Sequence, residues 1–194
     1  MTDNDLRWTV AALVAALVIF MGARSAILRR AGVPVNQLGA RGNWSQRILV
    51  SLAAVLDIYL LARAPLPILD HWVGASASPA PMAALVVLIV ASLIIIAAQG
   101  GMGKSWRVGV PPGASDIDIL VTGGLNRLSR NPIYLGIMLF LIGVALAAPG
   151  PLTFAALVIS FVGLNAIISR EERYLKDRFG PDYDDYTRRV RRWI

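Results

Sequence analysis

The sequence predicts an all-α integral membrane protein of about five transmembrane helices, with a C-terminal helical hairpin and cytoplasmic amphipathic tail helices. Three observations lead there. The 194 residues are 56% hydrophobic, with a mean hydropathy of +0.61. Only 16% are charged, against about 25% in an ordinary soluble domain. The apolar residues also fall into blocks, several close to the ~20 residues that a helix needs to cross the hydrocarbon core.

The first block runs from Trp8 to about Leu28. Asp3 and Asp5 give it an acidic start, and its apolar run outlasts a typical signal-peptide core, so it is expected to be a retained span. The second runs from about Arg47 to Leu66 and carries Asp57. The third runs from about Pro81 to Ala98, the fourth from Pro132 to near Ala148, and the fifth from about Pro151 to Ser169. Only "APGP" joins the last two, so they must form a tight antiparallel hairpin. Residues 1–98 therefore read as three N-terminal spans. Residues 99–194 read as a second unit of loop, hairpin and tail.

Lys and Arg set the orientation. Arg29, Arg30, Arg41 and Arg47 follow the first span, and Lys104, Arg107, Arg127 and Arg130 follow the third. The tail adds Arg170, Arg173, Lys176, Arg178, Arg188, Arg189, Arg191 and Arg192, while the opposite side has Arg7 and Arg63. This places the N-terminus outside and the C-terminus in the cytoplasm. The net charge of +7 follows from this bias, and no nucleic-acid partner is expected.

Cysteine is absent and His71 is the single histidine. Thiolate chemistry and disulfides are excluded. With no carboxylate cluster in the apolar blocks, no metal is expected. Asp57 lies mid-span, where an acid is costly and often functional. The bland reading pairs it inside the bundle with Gln99 or Asn165.

Two cytoplasmic segments are patterned beyond the needs of a connector. Residues 99–131 are rich in Gly and Pro and read as loop. The tail opens as a helix from Arg170 to Phe179, stopped by Gly180–Pro181. "DYDDYTRRVRRWI" then reads as a short amphipathic helix whose aromatic and basic residues suit the membrane interface.

"RNPIYLG", residues 130–136, stands at the start of the fourth span. Asn131 suits an N-cap and Pro132 the first helical position. Free backbone N–H groups and Arg130 would make a site for a carboxylate or phosphate. A capped helix with an arginine facing headgroups fits the same residues. Because the hairpin is tight, Glu171 and Glu172 are expected across a few ångströms from Arg130 and Asn131. An anion site beside two acids would hold a zwitterion, and juxtamembrane salt bridges are the plain alternative.

"LVTGGLNRLSRNPIYLG", a helical hairpin and "EERYLKDRFGPDYDDYTRRV" together resemble the isoprenylcysteine carboxyl methyltransferase family, within a group that includes the phospholipid N-methyltransferases. The resemblance covers roughly residues 99–192, and "GKSWRVG" is similar to a segment of many bacterial members. It implies S-adenosylmethionine as cofactor, bound from the cytoplasm over the hairpin. Leu120, Val121, Gly124 and Leu125 would then line the adenosine end. Arg130, Asn131, Pro132 and Tyr134 would hold the amino-acid end. Glu171 and Glu172, counted with Arg130 as catalytic, would bind the ammonium or ribose or shape the reacting centre. Trp106, Arg107 and Arg170 would meet the acceptor. Asn131 departs from the family, which usually has His there, and an asparagine cannot act as a base.

The expected function is methyl transfer from S-adenosylmethionine to a membrane lipid or a lipidated small-molecule or peptide acceptor, with carboxyl O-methylation of an isoprenylcysteine-type acceptor favoured. The expected setting is a bacterial inner membrane. Phospholipid amine N-methylation and thiol S-methylation are alternatives within the class. A membrane reductase, a non-enzymatic scaffold and a small transporter are the rivals outside it.

Overall fold

A computed structural model describes residues 1–33, 44–103 and 119–194. All regular structure among them is helical: α1 (Asp3–Arg30), α2 (Trp44–Ala62), α3 (Ile68–Trp72), α4 (Pro81–Met102), a 3-10 turn (Gly124–Arg127), α5 (Pro132–Ala147), α6 (Pro151–Phe179) and α7 (Pro181–Arg189). Four of these, α1, α2, α4 and α6, are long and apolar enough to cross a membrane. The expected fourth span is α5, with 16 residues. At 1.5 Å per residue it reaches about 24 Å, short of the ~30 Å hydrocarbon core.

The acidic start of the chain has a structural role. Asp5 and Thr2 form a reciprocal capping box on α1, with Asp5 N–H donating to Thr2 Oγ1 at 3.1 Å and Thr2 N–H to Asp5 Oδ2 at 2.9 Å. Proline opens α4, α5, α6 and α7, where its missing N–H costs nothing.

Glycine sets how closely the helices pack. A Cβ on Gly143 would fall 2.7 Å from Leu88 Cγ and 3.2 Å from the Leu88 nitrogen. One on Gly136 would meet Ile95 Cγ1 at 2.8 Å. Close approach through small residues is how helices gain packing contacts in lipid. The two contacts also fix an antiparallel register for α4 and α5, which brings Gln99 level with Pro132. The α5–α6 hairpin is held at its tip, where Ser76 N–H donates to the Pro149 carbonyl at 2.8 Å.

Leu6, Val10 and Val14 of α1, Leu56 and Leu60 of α2, Leu88 of α4 and Val144 of α5 make one apolar core. It lies towards the end of the bundle that holds Arg7 and Arg63. Arg63 is 0% exposed. It donates Nε and Nη2 to the two oxygens of Asp70, each at 2.8 Å. Tyr59 donates to Asp70 at 2.7 Å. Arg7 pairs with Asp70 at 3.0 Å and with Asp3 at 2.7 Å. The two arginines on the arginine-poor side are thus each matched by an acid. Burial pushes the Asp70 carboxyl up, but bonds from Arg63 and Tyr59 and the charges of Arg63 and Arg7 outweigh it and hold the group below its ordinary range.

Two expectations need correction. Asp57 pairs with neither suggested partner, since Gln99's amide has no hydrogen bond and Asn165 donates to Phe161 O in its own helix. The aromatics of the amphipathic tail helix face protein rather than lipid: Tyr183 and Tyr186 are buried, and Tyr186 donates to the Asn126 carbonyl at 2.7 Å.

Candidate functional site

α6 carries on past the membrane boundary expected near Ser169, in line with the helical tail segment Arg170–Phe179 read from the sequence. It continues to Phe179, and Gly180, with φ +52°, ends it. Pro181 starts α7, which folds back along the extension. The reversal carries residues 190–194 to the start of α5. There the Arg130 N–H donates to the Arg191 carbonyl at 3.0 Å. Ser129 Oγ and Asn131 Nδ2 both donate to the Arg192 carbonyl, at 3.2 and 3.0 Å.

Asn131 therefore occupies the N-cap position of α5 without capping it. Its side chain makes no capping bond, and its Nδ2 donates to the Arg192 carbonyl. Its own N–H donates to Ser129 Oγ at 3.1 Å.

The adjacent acids, a helical step of about 100° apart, have different partners. Glu171 Oε1 accepts from the Tyr134 hydroxyl at 2.6 Å. Glu172 Oε1 forms an ion pair with Arg130 Nη2 at 2.8 Å and accepts from Arg192 Nε at 3.2 Å. Its Oε2 accepts from Arg192 Nη2. Arg130 Nε is buried and has no partner.

Arg130, Glu172 and Arg192 line a cleft of about 390 Å³ between α6, α7 and the 190–194 strap, whereas Asn131, Pro132, Tyr134 and Glu171 do not. Its cations are Arg130, Arg173, Lys176 and Arg192, its acids Glu172 and Asp184, and its hydroxyls Ser169, Tyr183 and Thr187. Burial, then the Glu172 charge, push the Tyr183 phenol up to about 12. It is a neutral hydroxyl near pH 7, and no base. The cleft suits an anion, with acids beside it for a cation. Arg130 Nε is left unsatisfied, as Arg7 Nε, Arg24 Nε and Arg63 Nη1 are away from the cleft, at a cost that an acceptor would remove.

The other expected site residues are placed as follows. Pro132 is buried at the start of α5. Leu120, Val121 and Leu125 are half-buried and Gly124 is exposed, on the 3-10 turn and the stretch before it. None of the four lines the cleft. Arg170 is half-buried beside Glu171. Trp106 and Arg107 lie outside the described residues. Among the described residues no cluster of three or more metal-ligating side chains occurs.

Sequence reasoning missed Arg192 and Asp184. Arg192 lies twenty positions beyond Glu172. Its signal was the Gly180–Pro181 break, which turns the tail back instead of leading it away. Reasoning also missed two buried amides. Gln99 is 0% exposed with neither amide atom hydrogen-bonded, and Gln46 is buried with Oε1 unpartnered.

A profile of the phospholipid methyltransferase family matches residues 80–182. Two rice sequences, from Oryza sativa subsp. indica and subsp. japonica, are each named "Probable protein-S-isoprenylcysteine O-methyltransferase". Each is 29% identical over 107 residues, covering 55% of this chain and 56% of the relative. An "Uncharacterized protein" of Haemophilus influenzae is 35% identical over 63 residues, 32% of this chain and 100% of the relative. The chain spans about half the length of the rice relatives it matches. No solved structure gives a significant match.

Proposed function

We propose, for a chain that belongs to the phospholipid methyltransferase family, that it transfers a methyl group from S-adenosylmethionine to a lipid-like acceptor at the cytoplasmic membrane face. An isoprenylcysteine-type carboxylate is the favoured acceptor. The observation that carries this reading is the unpartnered, buried Nε of Arg130 in a cleft that also presents Glu172.

When bound, the cofactor supplies an electrophilic sulfonium methyl. Arg130 would hold its carboxylate through the free Nε, and Glu172 its ammonium. A carboxylate has about four acceptor sites. Glu172 has two taken by hydrogen bonds from Arg192 and forms an ion pair with Arg130, which leaves room for a further donor. Tyr134 fixes Glu171 in place near the membrane boundary. Catalysis then rests on holding the acceptor in line with the reacting carbon. An acceptor carboxylate is ionised at pH 7, since its pKa lies near ~4, so no side chain has to remove a proton. The lack of a histidine near the cleft agrees with such an acceptor.

The family's description also supports a second reading, methylation of a phospholipid amine, and that acceptor must lose a proton. The test incubates purified protein with methyl-labelled S-adenosylmethionine and either N-acetyl-S-farnesylcysteine or phosphatidylethanolamine. Label that base releases as methanol from the first acceptor supports the carboxylate. Stable label in the second supports the amine. Label in neither opposes both.

A further inference from the structure

α7 ends at Arg189, and Val190 is extended, with φ −125° and ψ 130°. The strap that follows adds two carbonyls and one guanidinium to the site. The carbonyls take the Arg130 N–H and the side chains of Ser129 and Asn131. The Arg192 guanidinium takes both oxygens of Glu172.

We infer that Arg192 is a positioning residue for the amino-acid end of the cofactor, acting by keeping Arg130 Nε free. This rests on the cofactor reading above. Arginine and carboxylate prefer a two-point, side-on pairing. Arg130 and Glu172 do not adopt it: Arg130 uses Nη2 on Glu172, and its Nε is left over. Arg192 makes the two-point pairing instead. Without Arg192, Glu172 would be free to turn onto Arg130 and engage Nε as well as Nη2. That would close the donor meant for the ligand's carboxylate. The strap's carbonyls hold the start of α5 with main-chain atoms, so loss of the Arg192 side chain leaves those bonds in place. A strap that only braced the fold would affect all ligands of the cleft alike. One that frees Arg130 affects only ligands carrying a carboxylate.

The test pairs two neutral sulfides, S-adenosylhomocysteine and 5′-methylthioadenosine, which differ in the amino-acid end. Dissociation constants are measured by calorimetry for wild type, Arg192→Ala, Arg192→Lys and the exposed control Arg188→Ala. Arg192→Ala should weaken S-adenosylhomocysteine by about tenfold or more while 5′-methylthioadenosine stays within about twofold. Arg192→Lys keeps the charge but not the two-point grip, so it should fall between. Arg188→Ala should change neither. Equal loss for both ligands, or loss for neither, overturns the inference. If Arg192→Ala does not fold, the same ratio in Arg192→Lys decides. Wild type that binds neither ligand overturns the cofactor reading itself, and this inference with it.

Discussion

Tyr134 and Glu171 are joined by a 2.6 Å hydrogen bond between the first turn of α5 and the C-terminal part of α6. Glu172 instead meets Arg130 and Arg192. The two acids therefore have different partners. Glu171→Gln and Tyr134→Phe should each lower turnover by breaking the same pair, and the double variant should cost little more than either single one. With a carboxylate acceptor and saturating cofactor, the wild-type rate should be flat from about pH 6.5 to 8.5, since the acceptor stays ionised. A rate that rises with pH, and loses the rise in Glu171→Gln, would identify Glu171 as a base and an amine or thiol as the acceptor.

Arg63 and Asp70 form a buried pair far from the cleft, and removing Asp70 strands Arg63, whereas Asp70 also has Arg7 and Tyr59. Asp70→Ala, which leaves the buried Arg63 charge without its carboxylate, should destabilise the protein by about 3–5 kcal/mol, read as a lower unfolding midpoint in detergent. Replacing both, as Arg63→Met with Asp70→Leu, should restore much of the loss. The sign of the pH effect follows from Asp70. Its folded pKa is depressed, so its contribution is complete above the unfolded value, near ~3.9. It is lost as pH falls below that value through the folded one. Denaturation midpoints between pH 7 and 3 would reveal it.

At Gly143 a side chain would run into Leu88, including its backbone nitrogen. Gly143→Val should cost about 1–3 kcal/mol through overpacking of α4 against α5. Gly22 has nothing near the position of its Cβ. Gly22→Ala should be neutral or slightly stabilising, because alanine is the better helix former. Thermal unfolding of the two variants side by side checks both.

The helices were legible because lipid demands long apolar runs and because proline and glycine mark their ends. The hairpin was legible because four residues cannot bridge two spans in any other way. The start of α5 was legible as a position but not as a bond. Asn131 has the chemistry of a cap, and its amide instead donates to a carbonyl 61 positions away. Arg192 was counted as one more basic tail residue, because the loop-back at Gly180 is a three-dimensional consequence of one left-handed φ. The inward turn of Tyr183 and Tyr186 was hidden for a related reason: an amphipathic pattern shows that one face is apolar, not whether lipid or protein covers it.

Topology can be read with introduced thiols, since the sequence has no cysteine. Thr187→Cys, beside the cleft, should be shielded from an impermeant thiol reagent in intact cells. Ser76→Cys, at the hairpin tip, should label. The reverse pattern would put the cleft on the outer face and remove its supply of cytosolic cofactor.

The central claim is that the Arg130 cleft takes the amino-acid end of S-adenosylmethionine. Its most direct test is calorimetry of purified wild type and Arg130→Ala with S-adenosylmethionine and, separately, with NADPH. The account predicts saturable binding of S-adenosylmethionine to wild type, weakened by about 1.5–3 kcal/mol in Arg130→Ala, and no binding of NADPH. Equal S-adenosylmethionine affinity in both proteins, or binding of NADPH alone, would contradict it.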